Sequence, residues 1–303
     1  MAMPSTVWTD RLEMVPVARN QPSVSLGNVP QLCCDLLIST LQLVPVGYLD
    51  DPCVTPVVGP PAYAHTKGTM STCLEVFQSS DKALTVVQQR APLLRGQLKP
   101  FVDNMVQFMA DAQFSQVLLL STIDARVRND SQLSGSSFRI LATNHTPAAF
   151  LAQAEKLGVP HLENELVKEY PKDPSHLSRQ GLQSSFSNTT QQLATEYSHL
   201  SLKDQLTNAT GSTKTPRIPG GGIARNLHQM AQRHQLPLTV LLEFVAEGDN
   251  IPESILMANC VNGLLNVLTT IDGAHRTGGL TDWVAPPSWH SIYSTKVPQE
   301  LYQ

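Results

Sequence analysis

The chain has 303 residues, 41% hydrophobic and only 15% charged, with 21 basic against 25 acidic side chains and a net charge of −4. That is enough apolar material for one large domain or two small ones, and the acidic balance argues against a phosphate-binding surface and against nucleic acid as a partner. No apolar run approaches the roughly 18 residues of a membrane span, and Met1 to Asp10 lack the basic-then-apolar order of a signal peptide.

In chain order, Glu13 to Ala18 reads as a first strand, which Pro16 should confine to a sheet edge or make irregular. Asn28 is placed to cap a helix from Val29 to Leu41, with Pro30 in the first turn, where its missing N–H does no harm. Val29, Leu32, Cys33, Leu36, Leu37 and Thr40 share one face of it, and its polar stripe is only Gln31, Asp35, Ser39 and Gln42. A helix so narrowly polar should be covered on most sides, by its own sheet or by another chain. Short strands are expected at Val44–Leu49, Cys53–Val58, Cys73–Gln78 and Ala83–Gln89, the last two joined as a hairpin by Ser79 to Lys82. A helix at Leu98–Ala112 carries Phe101, Met105, Phe108 and Met109, and Gln116–Ser121 has the continuous apolar run of a buried parallel strand. A strand at Ser137–Ala142 and a helix at Pro147–Leu157 follow.

Composition changes near residue 171. From Ser175 to Thr213, 21 of 39 residues are Ser, Thr, Asn or Gln, too few apolar anchors to offset the entropy of ordering them. Residues 171–214 are therefore expected to be a disordered polar insertion within a single domain spanning 13–290. Patterned sequence resumes at Arg217 to Ile223, with a helix to about His234, a strand at Leu238–Val245 and another helix opened by Asn250 and Glu253 at capping-box spacing. Strands alternating with helices imply an α/β sheet covered on both faces. Residues 1–12 form an N-terminal extension and 291–303 a C-terminal tail.

Catalytic and cofactor signatures are weak. Gly220-Gly221-Gly222 precede a helix, where backbone N–H groups bind anions, but Ile223-Ala224-Arg225 stands where a phosphate loop needs Lys and Ser or Thr, and the dinucleotide glycine spacing also fails. Glu247, Gly248, Asp249 and Asn250 follow a buried strand, where open α/β sheets bind ligands, yet the sequence is ordinary turn and cap chemistry. His228 and His234 are six residues apart and share no helix face, so they make no metal pair. The reading is no catalytic residue, no cofactor and no metal. The five cysteines show no Cys-x-x-Cys spacing and read as the reduced thiols of cytoplasm or nucleus, where the sequons at Asn129, Asn144, Asn188 and Asn208 go unused.

Longer motifs carry a resemblance. Ser25 to Leu32 with Asp35 to Leu41, then Arg128 to Leu133, Arg217 to Ile223, Leu242 to Pro252 and Trp283 to Trp289 resemble, in order, the proteasome assembly chaperone 2 family. The resemblance implies a three-layer α/β sandwich with a mostly parallel or mixed central sheet, distantly phosphorylase-like and without that active site. It implies a non-enzymatic chaperone of the cytoplasm and nucleus, paired with its paralogue proteasome assembly chaperone 1. Such a pair scaffolds the seven-membered α ring and prevents aberrant ring dimerisation, with α-type subunits 5 and 7 among its contacts. The chain ends Leu301-Tyr302-Gln303, the hydrophobic-Tyr-any pattern that proteasome-binding proteins insert between α subunits; chance gives it in about 0.8% of sequences of this composition. Leu301 and Tyr302 would fill the pocket and the Gln303 carboxylate would meet a lysine. In this reading Gly220 to Gly222 and Glu247 to Asn250 are loops shaping one edge of the sheet; the alternative on fold grounds is a phosphorylase-like nucleoside or phosphate-binding hydrolase.

Overall fold

The computed structural model describes residues 13–16, 25–66, 68–81, 83–133, 135–163, 215–268 and 283–289, with backbone alone at 13–16, 130 and 131. In chain order the elements are β1 (Glu13–Pro16), α1 (Val29–Leu41), β2 (Val44–Tyr48), β3 (Val58–Gly59), β4 (Ser71–Thr72), β5 (Leu74–Gln78), β6 (Thr85–Gln89) and α2 (Leu98–Ala112). Then come β7 (Val117–Asp124), α3 (Asp130–Leu133), β8 (Phe138–Ala142), α4 (Ala148–Lys156), α5 (Ala224–Arg233), β9 (Leu238–Val245) and α6 (Ile251–Leu265). Seven strands form one sheet in the order β2-β5-β6-β1-β7-β9-β8, and β3 pairs with β4 in a separate ribbon. The central β6, β1, β7 and β9 are mutually parallel, and β5, β2 and β8 run antiparallel to their neighbours. The fold is therefore mixed α/β.

Apolar runs buried on both sides belong at the centre of such a sheet, and β7 and β9 bury every side chain except a half-buried Asp124. Alternate residues point to opposite faces. Leu118, Leu120, Leu241 and Val245 pack with Leu36 and Leu37 of α1 and Met257 and Val261 of α6. Val117, Leu119, Val240 and Leu242 pack instead with Phe101, Met105 and Met109 of α2 and Leu227 of α5. Each face thus has its own core.

Four expectations need correction. β1 lies inside the sheet, paired with both β6 and β7; Pro16 is its last residue, beyond the β6 pairing that ends at Met14, so its missing N–H breaks no ladder on that side. The expected Cys53–Val58 strand is reduced to the bridge Val54↔Leu93 and the two residues of β3, because Pro52 and Pro56 remove donors a ladder needs. Asn28 precedes α1 as expected but in the left-handed region (φ 55) with no side-chain cap bond. Asn250 likewise makes no capping box. Its amide turns back to the Gly248 carbonyl at 2.8 Å, and Asp249 Oδ1 accepts the Ile251 N–H at 3.3 Å.

Of the two covers open to α1, its own chain supplies it. Eleven of its 13 residues are buried within the chain itself, including the polar Gln31, Asp35 and Ser39. No face of it remains for a second chain.

Candidate functional site

The motifs of the sequence meet at the C-terminal ends of β7 and β9, the edge where parallel sheets bind ligands. Thr122 Oγ1 in β7 donates to the Leu26 carbonyl at 3.4 Å, and Ser121 Oγ donates to the Gly221 carbonyl at 3.0 Å. The Asp124 N–H donates to the Pro219 carbonyl at 2.9 Å. The segment before α1 and the glycine turn before α5 are thus both tied down onto β7.

Two glycines are required by close approach. A Cβ on Gly27 (φ +73) would overlap the Asn250 amide, with Cγ at 2.8 Å, and one on Gly221 would overlap the Ile218 side chain, with its carbonyl oxygen at 3.2 Å. Gly220 and Gly221 are buried, Gly222 is half-buried, Asn250 is buried, and Glu247, Gly248 and Asp249 are exposed.

Of the acid groups nearby, Glu243 is buried and Glu247 and Asp249 are exposed. Glu243 in β9 is 1% exposed; burial, and then the charge of Glu253, push its carboxyl up to about 9, so it is protonated at neutral pH. Burial also pushes the Cys260 thiol up to about 12 and the Cys33 thiol well above its ordinary value. These are inert thiols rather than nucleophiles. His228 is buried, and desolvation lowers its pKa. Among the described residues no three His, Cys, Asp or Glu side chains are grouped to hold a metal, and no helix is long and apolar enough to cross a membrane.

Two polar clusters are not evident from the sequence. Asp35 Oδ1 accepts from Tyr63 Oη (2.7 Å), Gln88 Nε2 (2.9 Å) and Arg90 Nη2 (3.2 Å), and Oδ2 accepts from Trp289 Nε1 (3.0 Å). Arg90 Nε also donates to Glu75 Oε2 at 2.7 Å. Elsewhere the Arg128 and Arg139 guanidinium carbons lie 5.1 and 5.3 Å from the Phe244 ring centroid, and Arg139 pairs with Glu163. The only sequence signal for the first cluster is an aspartate in the middle of an apolar helix. Leu301, Tyr302 and Gln303, the extension 1–12 and the insertion 171–214 lie outside the described residues.

Solved structures share this architecture. Pyrococcus furiosus PbaA, an archaeal homolog of proteasome-assembly chaperone, superposes with TM-score 0.50 at 14% identity, over 90% of this chain and 82% of that one. It is a likeness of fold alone. The PAC2 family model matches residues 21–254, and the chain belongs to that family. It is 31% identical over 284 residues to proteasome assembly chaperone 2 of Danio rerio and 28% identical over 284 residues to that of Homo sapiens, in each case over 93% of both chains. The resemblance read from the motifs holds.

Proposed function

We propose that the chain is a non-enzymatic chaperone of proteasome assembly, acting as a heterodimer with proteasome assembly chaperone 1. The observation that carries this is its identity to relatives named proteasome assembly chaperone 2 along nearly the whole chain. In this reading the pair binds α-type subunits, subunits 5 and 7 among them, scaffolds the α ring and prevents ring dimerisation, in cytoplasm and nucleus. The domain is the three-layer, distantly phosphorylase-like sandwich of residues 13–290. The tail 291–303 supplies Leu301, Tyr302 and the Gln303 carboxylate to a pocket between α subunits. Because α1 is buried by its own chain, the paralogue docks elsewhere.

The test is capture of assembling α rings by the pair, with the full chain and with Leu301 to Gln303 deleted. Weaker capture on deletion, with the heterodimer intact, makes the tail a ring anchor, and equal capture moves binding to the folded surface. Capture of no α subunit by the full pair overturns the chaperone reading, and nucleoside turnover or phosphate binding by calorimetry would replace it with the hydrolase.

A further inference from the structure

Residues 283–289 cross the outer side of α1 and are pinned at both ends. The Trp283 indole N–H donates to Asn259 Oδ1 of α6 at 2.7 Å, and the Val284 N–H donates to Thr40 Oγ1 of α1 at 2.9 Å. At the other end the Ser288 N–H donates to the Ala62 carbonyl at 3.4 Å, and the Trp289 indole N–H donates to Asp35 Oδ2 at 3.0 Å. Both indoles are buried in the core beneath, whereas Val284 is 54% exposed. The segment is a strap lying on the surface, sunk at each end by a tryptophan.

This gives a reason for a carboxylate inside an apolar helix. Asp35 is 5% exposed, and an ion so buried is tolerated only with its lone pairs satisfied. Tyr63, Gln88 and Arg90 hold one oxygen from within the domain body, leaving the other for the strap. We propose that Asp35 is the anchor that fixes, through Trp289, the end of the strap that residues 290–303 follow in sequence, which makes Asp35 and Trp289 positioning residues for the tail. The anchor stands on the geometry; its use rests on the proposed function, which gives the tail its partner. A 14-residue segment reaches at most roughly 46–50 Å. An origin free to wander spreads its tip through a larger volume and lowers its effective concentration at the pocket.

The test uses the full chain with Trp289→Phe, and beside it the shape-preserving tryptophan analogue in which sulfur replaces the indole N–H, so that a folding defect of the first does not decide the matter. Amide hydrogen exchange is expected to speed up by about tenfold or more at Ser288 and Trp289, with α1 and β7 amides unchanged. Unchanged exchange there overturns the anchor, whatever the chain binds. In the capture assay, Trp289→Phe and deletion of Leu301 to Gln303 should each weaken capture by about tenfold, and the two together no more than the deletion alone. Full capture by Trp289→Phe, or a further loss in the deletion background, overturns the positioning role. Thr40→Val loosens only the far end and should leave capture at the parent level. If the parent itself captures no α subunit, the chaperone reading fails, and the exchange result still decides the anchor.

Discussion

Glu243 sits in the middle of β9, opposite Thr122 of β7 and Phe138 of β8, with 1% of its surface exposed. Its carboxyl is raised from 4.5 to about 9, by burial first and Glu253 second, so the folded chain keeps a proton that the unfolded chain releases. Its contribution is present below about pH 4.5 and is lost progressively as pH rises toward 9. Glu243→Gln removes the titration while keeping the shape. Thermal unfolding should show the variant gaining on the parent by several degrees at pH 8.5, corresponding to a few kcal/mol, and little at pH 5. Parallel curves at all pH values would contradict it. His228 works with the opposite sign. Burial lowers its pKa from 6.5, so its contribution is complete above about pH 6.5 and falls as the medium becomes more acid. His228→Asn should flatten that acid limb in the same scans.

At the scale of elements, α2 and the glycine turn before α5 give two opposed expectations. Gln113 ends α2 in the left-handed region (φ 53), exposed, its N–H donating to the Ala110 carbonyl. Glycine adopts that conformation without the Cβ penalty. Gln113→Gly should therefore raise stability by about 1 kcal/mol, read as a higher urea midpoint at unchanged slope. Gly221→Val drives a branched side chain into Ile218 and should lose about 1–3 kcal/mol, together with solubility and heterodimer yield; unchanged yield would count against the turn's role. The helices α1 and α2 and the strand β9 begin and end where spacing placed them, because their apolar periodicity is long and their stops are strong. The Cys53–Val58 run pairs so little because Pro52 and Pro56 outweigh its β-type residues. The position of β1 was illegible because pairing is decided by partners 70 and more residues away. The glycine motif and the Glu247–Asn250 loop were recognised separately, but their meeting with Leu26 and Gly27 on β7 and β9 is tertiary.

For the whole molecule, the buried ionic cluster joins what the sequence keeps apart. Asp35 meets Tyr63 at a separation of 28 residues, Arg90 at 55 and Trp289 at 254, so no local pattern marks it. Among the described residues Arg90 is its only cation, bridging Asp35 and Glu75 and lying over the Tyr63 ring at 5.3 Å. Burial already holds the Glu75 carboxyl above its ordinary 4.5 even though Arg90 pulls it down. Arg90→Gln leaves two buried carboxylates without a counter-charge, and breaking a buried pair by removing one partner costs about 3–5 kcal/mol. Glu75 is then held higher still, so the folded variant takes up a proton that the unfolded chain does not need. The deficit is accordingly largest near pH 8 and shrinks as the pH falls toward 4.5. Denaturant unfolding of parent and variant at both pH values checks the sign. A deficit independent of pH would mean that Arg90 acts through packing on Tyr63 rather than through charge. A pH-dependent deficit would mean that one guanidinium keeps α1, the β5–β6 hairpin and, through Asp35, the strap of residues 283–289 in a common arrangement.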